Sequence, residues 1–463
     1  MIDRISVLSK RTKITLRILF LVILVLLSAA IVTTGGRSVE KTSAGSNISP
    51  STFKNESRLT IVTAFHGPLS VYNRSGGLLY RNRSHHSYWD VDPVRGTKST
   101  YVYSATDVLT RSECHADTKC VRNVVEEINL TTGRVNSIFS RIRRGTINNE
   151  WHDIDRINDT HYAIADIKRN EAYIVNVRTG VTVWRWNAQD AFPLSSGGSN
   201  AFGTNFPGDW THLNDIEVLD DGRIMLSLRN QDAVIFINRT TGFQKNWTLG
   251  SDNEYDIMYE QHNPDYISKS NGGPAVVLAD SQNNRIVEYQ RTDGKWEQTW
   301  VWSDSEMLWP RDADRLPNGN TLITDTNSGR IIEVNKSGKK KTVINYHGPG
   351  RIYESERVGT GDESAGGPSA RTANLQSRGM TTVDGKASHT IERSRLQNLW
   401  SGVKQVLPTK ILNAIMFVKP TWLTFSDIGR MIGIGIVIAA WVCLELLWTT
   451  LSISIQSPVR VHR

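Results

Sequence analysis

Between about residue 58 and residue 346 the chain alternates short apolar runs with polar turns, and one module recurs. Its clearest copy is Trp210 to Asn230, WTHLNDIEVLDDGRIMLSLRN: an inner strand, a tight Asp221-Gly222 turn and a second strand. Related copies are EWHDIDRI from Glu150 with AIAD at 163–166, QHNPDYI from Gln261 with VLAD at 277–280, and WPRDADRL from Trp309 with a strand ending at Asp325. YWDVD, from Tyr88, begins another, with Trp89 where a histidine could stand. Before it, residues 58–81 hold three short strands. Repeats of this length whose strands cannot bury their apolar faces alone predict an all-β, six-bladed β-propeller. The blades fall at 58–81, 88–141, 151–186, 210–247, 261–302 and 309–346.

Two segments break the strand rhythm. Ile14 to Val32 is apolar apart from Arg17 and small hydroxyls, and Met431 to Thr450 is apolar apart from Glu445. Each makes roughly 30 Å of helix, enough to cross a bilayer. The expected organisation is a basic flank and signal-anchor helix (1–34), a linker (35–57), the propeller as catalytic domain (58–350), a linker with a membrane-interface stretch (351–427), and a transmembrane helix with a short basic tail (428–463). A cleaved signal peptide is the rival for the first helix, since Ser28-Ala29-Ala30 is small enough for cleavage. Lys and Arg flank both helices, which places both termini in the cytoplasm and the propeller on the extracytoplasmic side of the cell membrane. Glu445 is costly in lipid and is expected to snorkel or to meet the first helix. The Gly-, Ser- and Phe-rich insertion 188–208 is expected to cover one mouth of the propeller.

Charge changes the picture little. The formal net charge is +8, but eight basic and two acidic residues lie in 1–17 and 428–463; removing them leaves 46 basic and 44 acidic residues. The excess therefore flanks the membrane segments and argues for lipid rather than nucleic acid as a partner. With 39% hydrophobic and 22% charged residues, wholesale disorder is excluded. Nine Asn-x-Ser/Thr sites (Asn47, Asn55, Asn73, Asn82, Asn129, Asn158, Asn238, Asn246 and Asn335) lie between the two apolar segments, as in an exported glycoprotein. Many sit where turn chemistry alone selects Asn and Thr. Cys114 and Cys120 frame the loop CHADTKC and predict a disulfide outside the cell, with Cys443 free. A metal pair with His115 is the alternative, but no further ligands stand nearby.

The candidate chemistry emerges when the repeats are aligned on Asp153, Asp215, Asp265 and Asp312. Directly before these stand His152, Asn214, Pro264 and Arg311; three before stand Glu150, His212, His262 and Trp309. Strand alternation puts both offsets on one face. His152, His212, Asn214, His262 and Arg311 are therefore predicted to converge on one funnel. The second strand ends in Asp166, Asp280 and Asp325 in three repeats but in Arg229 in the central one. A reversed charge beside three histidines points to an anion site. Three histidines could hold zinc, but a metal shell more often recruits carboxylates, and none is expected here. No phosphate loop, Gly-x-Ser-x-Gly elbow or paired glycosidase carboxylates occur.

These repeats resemble the arylsulfate sulfotransferase family, exported six-bladed propellers, over roughly residues 58–346. WTHLND followed by LSLRNQ is similar to the family's His-x-Asn with a downstream Ser-x-Arg, YEQHNP to the stretch around its nucleophile, and WHDID to its upstream histidine. The resemblance implies transfer of a sulfuryl group from an aryl sulfate ester to a phenolic acceptor, with no nucleotide donor and no cofactor. It implies His262 as the residue that takes the sulfuryl group, with His152, His212, Asn214 and Arg229 binding its oxygens or helping the leaving phenol. Arg311 joins as a substrate-binding residue from repeat position alone. The two apolar segments set the chain apart from the family's soluble periplasmic members and resemble a membrane-anchored branch. A non-catalytic extracellular propeller that binds a ligand or protein is the alternative. Thr179 to Trp184 also suggests a quinone-binding propeller, but that pattern is mostly blade packing.

Overall fold

A computed structural model describes residues 9–35, 58–146, 148–197, 209–360, 366–379, 409–418 and 425–455. The chain divides into two compact units, one formed by Met1–Thr42 with Lys419–Arg463 and one by Ser43–Val418. Among the described residues the helices are α1 (Lys10–Gly35), α2 (Ala370–Ala373), α3 (Thr409–Val418) and α4 (Phe425–Ile455). Sequons Asn47 and Asn55 and insertion residues 198–208 lie outside the described residues.

The larger unit is a six-bladed β-propeller of antiparallel sheets, four of the blades consecutive four-stranded meanders. A further blade carries an extra short strand, and one is closed by a strand from the far end of the chain. Arg351–Arg357 pairs antiparallel with Thr60–Phe65, joining residues nearly three hundred apart and fastening the ring. This strand lies beyond the boundary expected at residue 350. Its sequence, RIYESER, lacks the apolar alternation of a free-standing strand, because its side chains face the propeller axis and the adjoining blades.

Neighbouring blades bury their apolar faces against each other. Ile224, Leu226, Leu228 and Ile235 of the fourth blade pack with Ala163, Ala165 and Ile174 of the third, under Trp210 and Trp186. Small residues on one face and large on the other let twisted sheets stack at packed-core density.

The aspartate repeat has a structural reason. The innermost strands are Ser87–Pro93, Trp151–Asn158, Leu213–Val218, His262–Ile267, Pro310–Arg315 and Arg351–Arg357. Each lends one carboxylate oxygen to a backbone N–H of the next. Asp90 accepts from Ile154, Asp153 from Ile216, Glu217 from Tyr266, Asp265 from Arg315, Asp312 from Ser355, and Glu354 from Val91. The chain of links runs once round the axis and closes on itself. A carboxyl group supplies an acceptor oxygen for this link and leaves its second oxygen for other partners. The cost is like charge at close range: unit charges about 5 Å apart repel by roughly 3 kcal/mol at an effective dielectric of 20.

The same inner strands each depart from regular pairing near their start. Register shifts fall between Tyr88 and Val91, Trp151 and Asp153, Leu213 and Asp215, His262 and Asp265, and Pro310 and Asp312. A bulge leaves its extra residue unpaired and re-aims its side chain. The residues within these shifts include His152, Asn214, Asn263 and Arg311.

In the smaller unit α1 packs on α4. Arg17 Nε and Nη2 donate to Glu445 Oε1 and Oε2 at 2.5 and 2.6 Å, Trp441 Nε1 donates to the same carboxylate, and Phe20 stacks on Trp441. Two-pronged pairing neutralises a carboxylate that lipid would otherwise penalise. Lys10–Ala29 and Arg430–Trp448 are long and apolar enough to cross a membrane. Both features are compatible with membrane anchoring, and Glu445 meets the first helix as expected.

Candidate active site

The side chains expected to converge do so in a buried centre at the inner-strand ends where the bulges lie. His152 and His212 meet edge to face with ring centroids 5.2 Å apart, and His212 lies 6.4 Å from His262. His212 and Trp309 both take left-handed backbone conformations, φ 46° and 49°, which a side chain tolerates only under surrounding constraint. Trp89 supplies a wall, stacked 4.4 Å from His152. Tyr353, from the closing strand, touches His152, His262 and Trp89 with its ring.

His262 is fully buried. Its Nδ1 lies 3.1 Å from the Glu260 carbonyl and 2.8 Å from Ser281 Oγ. A carbonyl can only accept, and Ser281 donates its own proton to the Pro310 carbonyl at 2.7 Å. The proton therefore sits on Nδ1, and the Nε2 lone pair has no partner. Burial, reinforced by Arg311 and Arg229, pushes the imidazole well below its ordinary range, so it is neutral near pH 7. A neutral, oriented imidazole with a free nitrogen in a dry site is a competent nucleophile.

His212 differs. Its Nδ1 lies 2.7 Å from both oxygens of Asp209. Burial and Arg229 keep the ring neutral, while burial raises the Asp209 carboxyl to about 6. This pairing orients Nε2 and can hold a proton gained there, the arrangement of a general base. His152 is held from both sides: Nδ1 by the Tyr353 hydroxyl at 2.8 Å, and Nε2 facing Glu150 at 3.5 Å. With Nε2 turned to a carboxylate oxygen and Nδ1 to a hydroxyl, the arrangement suits a proton on Nε2 and a Tyr353 hydroxyl that donates to Nδ1.

Two guanidinium groups make the funnel basic. Arg229 donates from Nε to Asn230 and lies 4.0 Å from Asp209. Its counterparts explain the charge reversal. Asp280 and Asp325 each cap an incoming backbone N–H and pair with an arginine of their own blade, and Asp166 caps Arg169 N and pairs with Arg143. In the central blade Asp232 takes the backbone role, accepting from Glu260 N and Asn253 N, which leaves position 229 for a cation. Arg311 is buried among Phe65, Trp309 and Tyr353, each ring within 5.0 Å of its guanidinium carbon. Its Nε has no partner, and burial beside Arg229 and Arg351 lowers it to about 10. Asn214 donates to the Gln261 carbonyl next to His262, and its Oδ1 has no partner. The site thus gathers His152, His212, Asn214, Arg229, His262 and Arg311. This donor set suits a tetrahedral oxyanion.

Helix α3 roofs this centre. Phe417 stacks 5.7 Å from Phe65 and meets Trp309 edge-on, Arg351 bonds its carbonyl, and Asn413 donates to Gln282 at 2.9 Å. The described part of the segment read as lying at the membrane interface therefore folds back on the propeller. Asp209, Ser281, Tyr353 and Phe417 escaped the sequence reading. Asp209 stood three residues before His212, and Ser281 directly after a strand-ending Asp; Tyr353 and Phe417 lie outside every repeat.

Cys114 and Cys120 form a disulfide with Cα atoms 6.0 Å apart, and Cys443 is free and exposed. Of the described sequons, Asn82 is buried and donates to Tyr103, a poor place for a glycan, whereas Asn158, Asn246 and Asn335 are exposed.

Fold and centre together define a β-propeller with a buried, basic, histidine-lined centre at the inner ends of its blades. In sequence, residues 132–299 match the arylsulfotransferase (ASST) family model, a stretch that runs from the last strand of the second blade into the last strand of the fifth. The matched stretch holds His152, His212, Asn214, Arg229 and His262 but not Arg311. No curated protein matches the chain. Among solved structures, a protein of unknown function from Bacteroides caccae is similar at 10% identity, covering 65% of this chain and 99% of its own, with a TM-score of 0.44. A putative 6-phosphogluconolactonase from Bacteroides fragilis follows at 9% identity, 66% and 99% coverage and a TM-score of 0.44. Virginiamycin B lyase from Staphylococcus aureus, an inactive variant with quinupristin, has 8% identity, 63% and 86% coverage and a TM-score of 0.37.

Proposed function

We propose that the protein is a membrane-anchored arylsulfotransferase that moves a sulfuryl group from an aryl sulfate ester to a phenolic acceptor through a sulfated His262, without a nucleotide donor. The observation that carries this reading is the free, buried Nε2 of His262 with its proton fixed on Nδ1.

In the first half-reaction the Nε2 lone pair forms a bond to sulfur as the bond from sulfur to the aryl oxygen breaks. The aryl oxide leaves with that electron pair. His262 becomes a sulfated imidazolium whose Nδ1 proton still faces Ser281 and Glu260. In this reading Arg229 and Arg311 hold the sulfuryl oxygens, joined by the second Nδ2 proton of Asn214 and by the Nε2–H of His152 once it turns from Glu150, and fixed donors in a water-poor site cost little reorganisation. In the second half-reaction the acceptor hydroxyl gives its proton to His212 Nε2 and its oxygen attacks sulfur, releasing neutral His262. Asp209 holds the His212 imidazolium until that proton reaches the departed aryl oxide. Atoms and charge balance without a cofactor. The propeller is assigned to the extracytoplasmic side and both termini to the cytoplasm, from the basic residues flanking α1 and α4.

The test uses the full-length protein with a chromogenic phenyl sulfate and no acceptor, quenched and digested under non-acidic conditions. A sulfated peptide containing His262, absent from His262→Ala, is the expected result. An adduct on the His212 peptide would exchange the two roles, and full transfer by His262→Ala would end the assignment.

A further inference from the structure

The carboxylates that stitch the blades together leave an excess of negative charge on the propeller axis. Asp90, Asp92 and Glu354 each place an oxygen so that all three lie within 4.8 Å of one another. That is twice the 2.4 Å typical of a calcium–oxygen bond, so the three oxygens fit around one such ion. Asp90 and Glu354 are buried, while Asp92 remains partly accessible.

A second observation comes from a neutral group. Asn263 is only 8% exposed and donates through Nδ2 to Glu354 Oε2 at 3.2 Å. Its amide oxygen has no partner. A buried amide oxygen left unmatched costs free energy, and amide and carboxylate oxygens together are what a hard divalent cation recruits.

We propose that the propeller binds one hard divalent cation of the calcium class on its axis, held by Asp90, Asp92 and Glu354 with the Asn263 amide oxygen. The ion cancels the repulsion that the blade links create and braces the closing strand against the second and fifth blades. Because Asn263 directly follows His262, it also steadies the strand that carries the funnel. The site is independent of what the funnel transfers.

The experiment takes full-length protein in detergent, purified without chelator, for elemental analysis. The protein is then stripped with EDTA and melted with and without calcium chloride. About one calcium per chain, and a melting temperature restored by added calcium, are expected. Asp92→Asn is expected to weaken calcium at least tenfold, and Asn263→Ala to weaken it measurably with the fold intact. Wild-type protein that carries no divalent metal and melts alike with EDTA and with millimolar calcium overturns the proposal. So does an undiminished calcium response in the Asp92→Asn, Asn263→Ala double variant, which would locate binding elsewhere. If either variant fails to fold, the wild-type measurements decide.

Discussion

His212 Nδ1 is 2.7 Å from both carboxylate oxygens of Asp209, three residues earlier in the chain. The left-handed turn at His212, just before the strand Leu213–Val218, lets its side chain meet a residue of the approach loop. Asp209→Asn is expected to lower kcat by about a hundredfold, the lower end for a positioned general base. The pH profile carries the sign. Asp209 is held near 6, above its ordinary value, by burial. As pH falls through about 6 it gains a proton and can no longer hold a charged His212. The wild-type rate should therefore decline on the acid side of 6, and that limb should vanish in Asp209→Asn. A variant that keeps the limb would assign it to another group.

Arg229 tests the anion site. Arg229→Ala is expected to remove about 2–4 kcal/mol of transition-state stabilisation, seen in kcat rather than in donor KM. Arg229→Lys should recover only part, because an ammonium is a point charge without the planar fork. Wild-type kinetics in folded Arg229→Ala would reduce it to a structural partner of Asn230.

The blade repeats were legible because the shared Asp makes a blade-to-blade bond in three of the four aligned copies, at Asp153, Asp265 and Asp312, while Glu217 makes it in the central one. Convergence of His152, His212, Asn214, His262 and Arg311 was legible for the same reason, since alignment on that Asp compares equivalent heights around one axis. The route was different from strand alternation. His152, Asn214 and Arg311 lie within bulges, and His212 precedes its strand in a left-handed turn, so local irregularity aims them. Tyr353 and Glu354 were hidden because a closing strand has no repeat to align with and takes its pairing from a segment nearly three hundred residues away. Phe417 was hidden because an apolar stretch before a membrane segment reads equally well as interfacial.

The roof supplied by Phe417 bears on water. A sulfated histidine can be attacked by water as well as by phenol, and an apolar aromatic cover disfavours water relative to an aromatic acceptor. Phe417→Ala should raise phenyl sulfate hydrolysis without acceptor relative to transfer with acceptor present. The ratio of the two rates is the measurement, and an unchanged ratio would show that the ring does not shield the intermediate.

Tyr353 separates two contributions that its position combines. Its hydroxyl donates to His152 Nδ1 at 2.8 Å, and its ring lies 4.7 Å from the Arg311 guanidinium carbon. Tyr353→Phe removes the first and keeps the second. His152 then has an unmatched buried Nδ1, and its ring loses the bond that fixes its orientation in the centre. Donor KM should rise several-fold while melting temperature falls only slightly. Tyr353→Leu also removes the aromatic face that shelters Arg311, a group already lowered to about 10 by burial. This variant should lose kcat as well as donor affinity. If Tyr353→Phe and Tyr353→Leu behave alike in both parameters, the ring contributes nothing beyond the hydroxyl, and Arg311 is not steadied by it. If Tyr353→Phe matches the wild type, the hydroxyl does not position the His152 ring.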